Sequence, residues 1–261
     1  MKAKYEILPE TNSKGLFRIR ALADIPDTEV KSGDLGGFIQ YLHNLSQSGS
    51  CWVYDSAQVS GDARVSGDAQ VSGAARVHGN ARVHGNAWLH GNAWVYDSAE
   101  VSGDARVFDN AQVSGSAQVF DNARVSDSAQ VSGDAWVSGT ARVSGEAQVS
   151  GGAWVSEEAR VSGSAQVSDN AWVSGGAQVS EKARVSGTAR VVGTARVSEK
   201  AHVSDAARVS GAARVSGDAW VFGTAWVSDS AQVSGDVWVS DKAMVSGDAR
   251  LSGDVWVSDC I

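Results

Sequence analysis

From Val53 to Val257 an aliphatic residue recurs at every sixth position without a slip. All 35 are valine except Leu89 and Leu251, and Ala stands two residues before each one except at Cys51, Val237 and Val255. The unit is Ala-x-Val-Ser-Gly-x, with Asp or Glu often in place of Gly. Alternation through Ala-x-Val is the period of a short strand with Ala and Val on its inner side. Ser-Gly-Asp or Ser-Asp-Asn is turn chemistry, because Gly, Asn and Asp tolerate left-handed backbone angles. A three-residue strand and a three-residue corner, repeated, describe a β-solenoid.

The residue before each valine sets the number of hexads per coil. Between Arg124 and Trp172 it reads Arg124, Gln130, Trp136, then Arg142, Gln148, Trp154, then Arg160, Gln166, Trp172. The superperiod is 18 residues, so a coil has three sides. The expected fold is an all-β, three-sided parallel β-helix of roughly 11 to 12 coils and roughly 55 Å, at about 4.8 Å per coil.

The pattern resembles the hexapeptide-repeat left-handed parallel β-helix family, whose motif Val59-Ser60-Gly61-Asp62-Ala63-Arg64 fits. Left-handedness is what the resemblance implies; general crossover chirality would give the opposite hand. A narrower likeness lies in Gly33-Asp34-Leu35-Gly36-Gly37-Phe38, in Asn44-Leu45-Ser46 and in Cys51-Trp52-Val53. These segments resemble proteins of the YdcK type, labelled acetyltransferases, and related prophage-encoded proteins. That label follows the fold and carries little functional weight.

Residues 1–50 differ in composition and are expected to cap the helix formed by 51–261, since an open solenoid end exposes strand edges. Tyr5-Glu6-Ile7-Leu8 and Phe17-Arg18-Ile19-Arg20-Ala21 read as strands joined by a turn at Asn12-Ser13-Lys14-Gly15.

A net charge of −8 argues against a general nucleic-acid or anionic-membrane surface. There is no run of 18 apolar residues, and the start, MKAKYEILPE, lacks an apolar signal core. A cytoplasmic location is therefore expected. Cys51 and Cys260 fall at opposite ends of the expected rod, too far apart to bridge, which suits a reducing compartment. No Cys or His pair has zinc spacing, so no metal site is expected.

Acyltransferases of the resembled family use a His as general base in a cleft between subunits, covered by a loop. Here His78, His84 and His90 each follow an aliphatic position, in three successive hexads. They should therefore point from three corners and not converge. The 35 hexads contain no insertion that could supply a covering loop. No catalytic residue is therefore assigned. Were the protein an enzyme, His78, His84 and His90 would be the candidates and acetyl-CoA the only cofactor. His202 takes an outward position and His43 lies in the cap, without implied chemistry.

Residues 18 apart should stack into outward columns. One carries Arg106, Arg124, Arg142 and Arg160, a second Gln112, Gln130, Gln148 and Gln166, and a third Trp136, Trp154 and Trp172. The second column also ends in Trp220, Trp238 and Trp256. A Gln column is expected to hydrogen-bond along itself. Stacked arginines repel unless a counter-ion compensates, and stacked exposed indoles mark an interaction surface. Duplication of a coil would also copy such columns without selection for them.

The reading that follows is a non-enzymatic binding or scaffold protein that uses its Trp and Arg columns to contact a subunit, a protein or a small ligand. The alternatives are a CoA-dependent acyltransferase and capture of a nucleotide-like ligand between chains. Parallel packing about a threefold axis, usual in the resembled family, would give a homo-trimer with one chain's Trp strip against Arg142 and Arg160 of the next.

Overall fold

The computed structural model describes residues 3–258, in two compact units, Met1–Asp127 and Ser128–Ile261. The first begins with strands β1 (Tyr5–Thr11), β2 (Phe17–Ala21) and β3 (Leu35–Ile39), paired antiparallel in that order. Asn12 makes the hairpin turn: its side-chain oxygen accepts from the backbone N–H of Lys14 (2.9 Å) and Leu16 (3.1 Å), and Gly15 takes φ +74°. β3 then changes role. It pairs parallel with Gln58–Val59, Phe38 beside Gln58 and Ile39 beside Val59.

From there each hexad makes one short strand, and strands 18 residues apart pair in register. In the first unit one sheet runs through Gln58, Arg76, Trp94 and Gln112. A second runs through Arg64, Arg82, Glu100 and Gln118, and a third through Trp52, Gln70, Trp88, Arg106 and Arg124. In the second unit one sheet begins Gln130, Gln148, Gln166 and ends Trp220, Trp238, Trp256. Another runs from Trp136 through Trp154, Trp172 and Arg190 to Met244, and a third from Arg142 through Arg160 to Arg250. Each unit is a three-sided parallel β-solenoid, as the superperiod predicts.

The core is two inward rows. From Ala57 to Val239 the Ala and Val of every hexad are essentially unexposed. Burying each valine contributes roughly 1.5 kcal/mol or more. The intervening residue points out, so it can vary. Backbone N–H groups bond one coil onward, as from Arg64 to the Ala81 carbonyl at 2.9 Å, so the ladder is satisfied without side chains.

The inward rows also reach into the capping region. Ile39 stands beside Val59 and Leu45 bridges Val65, both buried. These steps are 20 residues, not 18, because two extra residues separate Leu45 from Val53. The irregular corner begins with a single 3-10 turn, Leu42–Asn44. Buried Asn44 anchors it: its amide donates to the carbonyls of Gly61 (2.8 Å) and Ala63 (2.9 Å) and accepts from the N–H of Gln40 and Tyr41. Trp52 has an outward phase yet is only 1% exposed, because Tyr5 packs edge-on over it at 6.2 Å. The Tyr5 hydroxyl donates to the carbonyls of Leu45 (2.7 Å) and Leu42 (3.0 Å). N-terminal strands thus cap the first coil.

Candidate functional site

Outward and corner side chains are the variable part of the repeat, so any specific chemistry lies there or at the cap. In the second unit Trp136, Trp154 and Trp172 stand in adjacent registered strands. The rings of Trp136 and Trp154 stack at 4.9 Å and 5°, while those of Trp154 and Trp172 are tilted, 5.5 Å apart. Trp154 and Trp172 are 41% and 37% exposed, and Trp136 is half-buried. Arg190, one coil beyond, places its guanidinium 5.4 Å from the Trp172 ring centre. Trp172 therefore already has a cation from its own column.

The other aromatic column of this unit opens with His202, stacked on Trp220 at 4.1 Å and 3°. Trp220 to Trp238 is 5.6 Å and Trp238 to Trp256 is 6.3 Å. Trp226 and Trp256 donate their indole N–H to Ser210 and Ser240, both at 3.0 Å. Burial lowers the His202 pKa, Arg184 lowers it further and Asp218 opposes them.

The arginines divide between the units. Arg106 and Arg124 are registered neighbours in the first, lining a shallow cavity of about 380 Å³ with Trp88 and Asp104. Arg106 lies over Trp88 at 5.4 Å. Arg142 and Arg160 neighbour one another in the second unit, and among the described residues no carboxylate stands within ion-pair distance of either. The expected Gln–Gln ladder is not formed: among the described residues no hydrogen bond joins the amides of Gln130, Gln148 and Gln166. Exposed amides gain little by exchanging water for one another.

His78, His84 and His90 follow strands of three different sheets, so they occupy three corners. Their surroundings differ. His78 stacks on Tyr96 at 5.2 Å, His90 on Phe108 at 5.2 Å. His84 instead meets Glu100, with Nε2 and Oε1 2.6 Å apart on an open face. Sequence reasoning missed that pair, although Glu100 is the one acidic residue among the outward positions. Arg–Trp stacks were also missed; each joins residues 18 apart, a spacing visible in the chain.

Cys51 is buried, and burial pushes its thiol pKa up, with Lys4 opposing. The Lys4 ammonium donates to the Cys51 carbonyl at 2.9 Å and lies 3.2 Å from Sγ, fastening β1 to the first coil. Cys260 lies outside the described residues. Among those described, no three His, Cys, Asp or Glu side chains gather as a metal site, and no helix is long and apolar enough to cross a membrane.

These features define a class: a capped, three-sided β-solenoid that displays stacked aromatic and cationic side chains. Five segments, residues 57–73, 75–91, 99–115, 117–133 and 165–181, match the YdcK β-solenoid repeat, so over those segments the chain is similar to YdcK-like β-helix proteins. Two matches open on the Glu100–Gln118 sheet and two on the Gln58–Arg76 sheet of the first unit, so the repeat does not distinguish one side from another. No curated protein matches the chain.

Proposed function

We propose that the protein is a non-enzymatic binding protein whose Trp136–Trp154–Trp172 strip is a contact surface between copies of the chain. The observation that carries this reading is a continuous run of three indoles on one sheet, Trp136 half-buried and Trp154 and Trp172 exposed. Nothing in the core requires them, since the Ala and Val rows pack alike behind Gln and Arg. A parallel threefold assembly would set Trp136 and Trp154 of one copy against Arg142 and Arg160 of the next. Guanidinium over indole contributes about 0.5 to 2 kcal/mol per contact, and lysine would lose the flat stacking surface.

Sedimentation tests it. The combined variant Trp136→Ser, Trp154→Ser, Trp172→Ser should be a soluble, folded monomer, whereas Trp220→Ser, Trp238→Ser, Trp256→Ser should leave the trimer intact. A first variant that sediments as the wild type refutes the interface.

One observation favours the acyltransferase alternative: Glu100 can orient His84, as a general base requires. We expect no turnover of acetyl-CoA by the purified protein. Turnover that is lost in His84→Ala and retained in His90→Ala would reverse that reading.

A further inference from the structure

We propose that a cavity between the cap hairpin and the first coils binds a small planar oxyanion, a ring bearing a phosphate or a carboxylate. The cavity, about 460 Å³, lies wholly within the first unit, and its lining includes Lys14, Gln40, Gln58, Arg76, His78 and Trp94. That volume is within the range of small-molecule sites.

Charge is the first argument. The chain has 30 acidic and 22 basic residues, yet this lining contains two cations, an imidazole and two amides without a carboxylate. Among the described residues no carboxylate is within ion-pair distance of Lys14 or Arg76.

Burial is the second. Arg76 is the one outward arginine of the repeat that is half-buried; the others, including its neighbours in sequence Arg64 and Arg82, are exposed. Withdrawing a guanidinium from water without a counter-ion is costly. Its contact with the Trp94 ring, 5.0 Å from the centre, fixes its place but supplies no anion. The electrostatic complement is missing until an oxyanion arrives.

Preorganisation is the third. Lys14 stands on a turn locked by Asn12, and Gln40 is held by accepting the Gly61 N–H at 2.8 Å. The His78 ring, kept flat by Tyr96, and Trp94 at 74° to it form planar walls for a ring. Burial is the main reason that the His78 pKa is lowered; Asp97 opposes it, and Arg76 and Lys14 add to the lowering.

Calorimetry with adenosine monophosphate, benzoate, inorganic phosphate and adenosine is the test, joined by NMR titration of His78. A ring bearing an anion should bind with Kd below about 1 mM, and adenosine should not bind. Arg76→Gln and Lys14→Gln should each weaken binding at least about tenfold, the scale of a charge-assisted hydrogen bond. Arg76→Gln puts into the sheet the residue already at positions 58 and 112, so the fold is retained, as circular dichroism would verify. Arg106→Gln, in the third sheet, should change nothing. The His78 pKa should rise on saturation. Binding of the nucleotide alone assigns the phosphate class, and of benzoate alone the carboxylate class. Three outcomes overturn the proposal: no probe bound at millimolar concentration, Arg76→Gln binding as tightly as the wild type, or inorganic phosphate binding as tightly as the nucleotide.

Discussion

Each corner of the solenoid places the second residue after the inward Val in the left-handed region, with φ +59° at Asp169 and +69° at Gly187 one coil on. Glycine meets this requirement by lacking a Cβ. Aspartate meets it by a second route: the Asp169 carboxylate accepts the Gly187 N–H at 2.9 Å, and Asp205 accepts that of Gly223 at 3.0 Å. Asp at this position therefore links successive coils as well as turning the chain. Alanine can do neither. Asp169→Ala should cost about 1 to 2 kcal/mol in urea unfolding, and Asp169→Gly less, because it removes the hydrogen bond but also the backbone strain. Gly187→Ala should be worse than either, since its new Cβ would lie 2.7 Å from the Asp205 nitrogen. Equal stability of Asp169→Ala and wild type would show that the carboxylate contact contributes nothing.

Among the elements, β3 connects two architectures, an antiparallel hairpin and a parallel solenoid, by crossing close above the first coil. A Cβ at Gly37 would stand 2.6 Å from the Ala57 carbonyl oxygen and 2.7 Å from a Val53 methyl. Both neighbours belong to the ladder and core, so neither can move cheaply. Gly37→Ala should destabilise the protein by roughly 1 to 3 kcal/mol, the range for overpacking, and should expose Trp52 to collisional quenchers. A variant with wild-type stability would contradict the close crossing. The same element shows where sequence legibility ended. The hexads from Val53 were legible because a one-residue slip would reverse every side chain. Ile39 and Leu45 continue those rows but were hidden by two extra residues before Val53. The hairpin was legible from Asn12 and Gly15. The withdrawal of Arg76 was not, since its letter is that of many exposed arginines and only the fold of the hairpin over it makes the difference. His84 and Glu100, 16 residues apart, meet across neighbouring coils, a diagonal relation that column-by-column reading overlooks.

Across the whole molecule most charge is at the surface, and a few groups set how stability varies with pH. His78 and His202 are both held below the usual 6.5, mainly by burial against aromatic neighbours. The unfolded chain then binds more protons than the folded one as pH falls through 6.5, so the stabilisation is complete above that value and declines below it. Asp24 is lowered from 3.8 by the Ser32 N–H and Lys31, and its contribution disappears as pH falls through that lowered value. Tyr5 acts in the opposite direction. Burial raises it from 10.0 to about 12, so its contribution is intact below 10 and is lost as pH rises toward 12. Unfolding free energy from urea titrations should be level between pH 7 and 9 and decline on both sides. His78→Gln with His202→Gln should flatten the decline between pH 6.5 and 5, because Gln does not titrate and already stands at many outward positions like that of His202. Tyr5→Phe should lessen the alkaline decline, leaving the part due to Cys51 and Tyr54, which burial also raises, and should lower the plateau by about 1 kcal/mol through loss of the hydrogen bonds to Leu42 and Leu45. An acid limb unchanged in the double His variant would mean that carboxylates alone govern it, and that stacking leaves both imidazoles at their solution basicity.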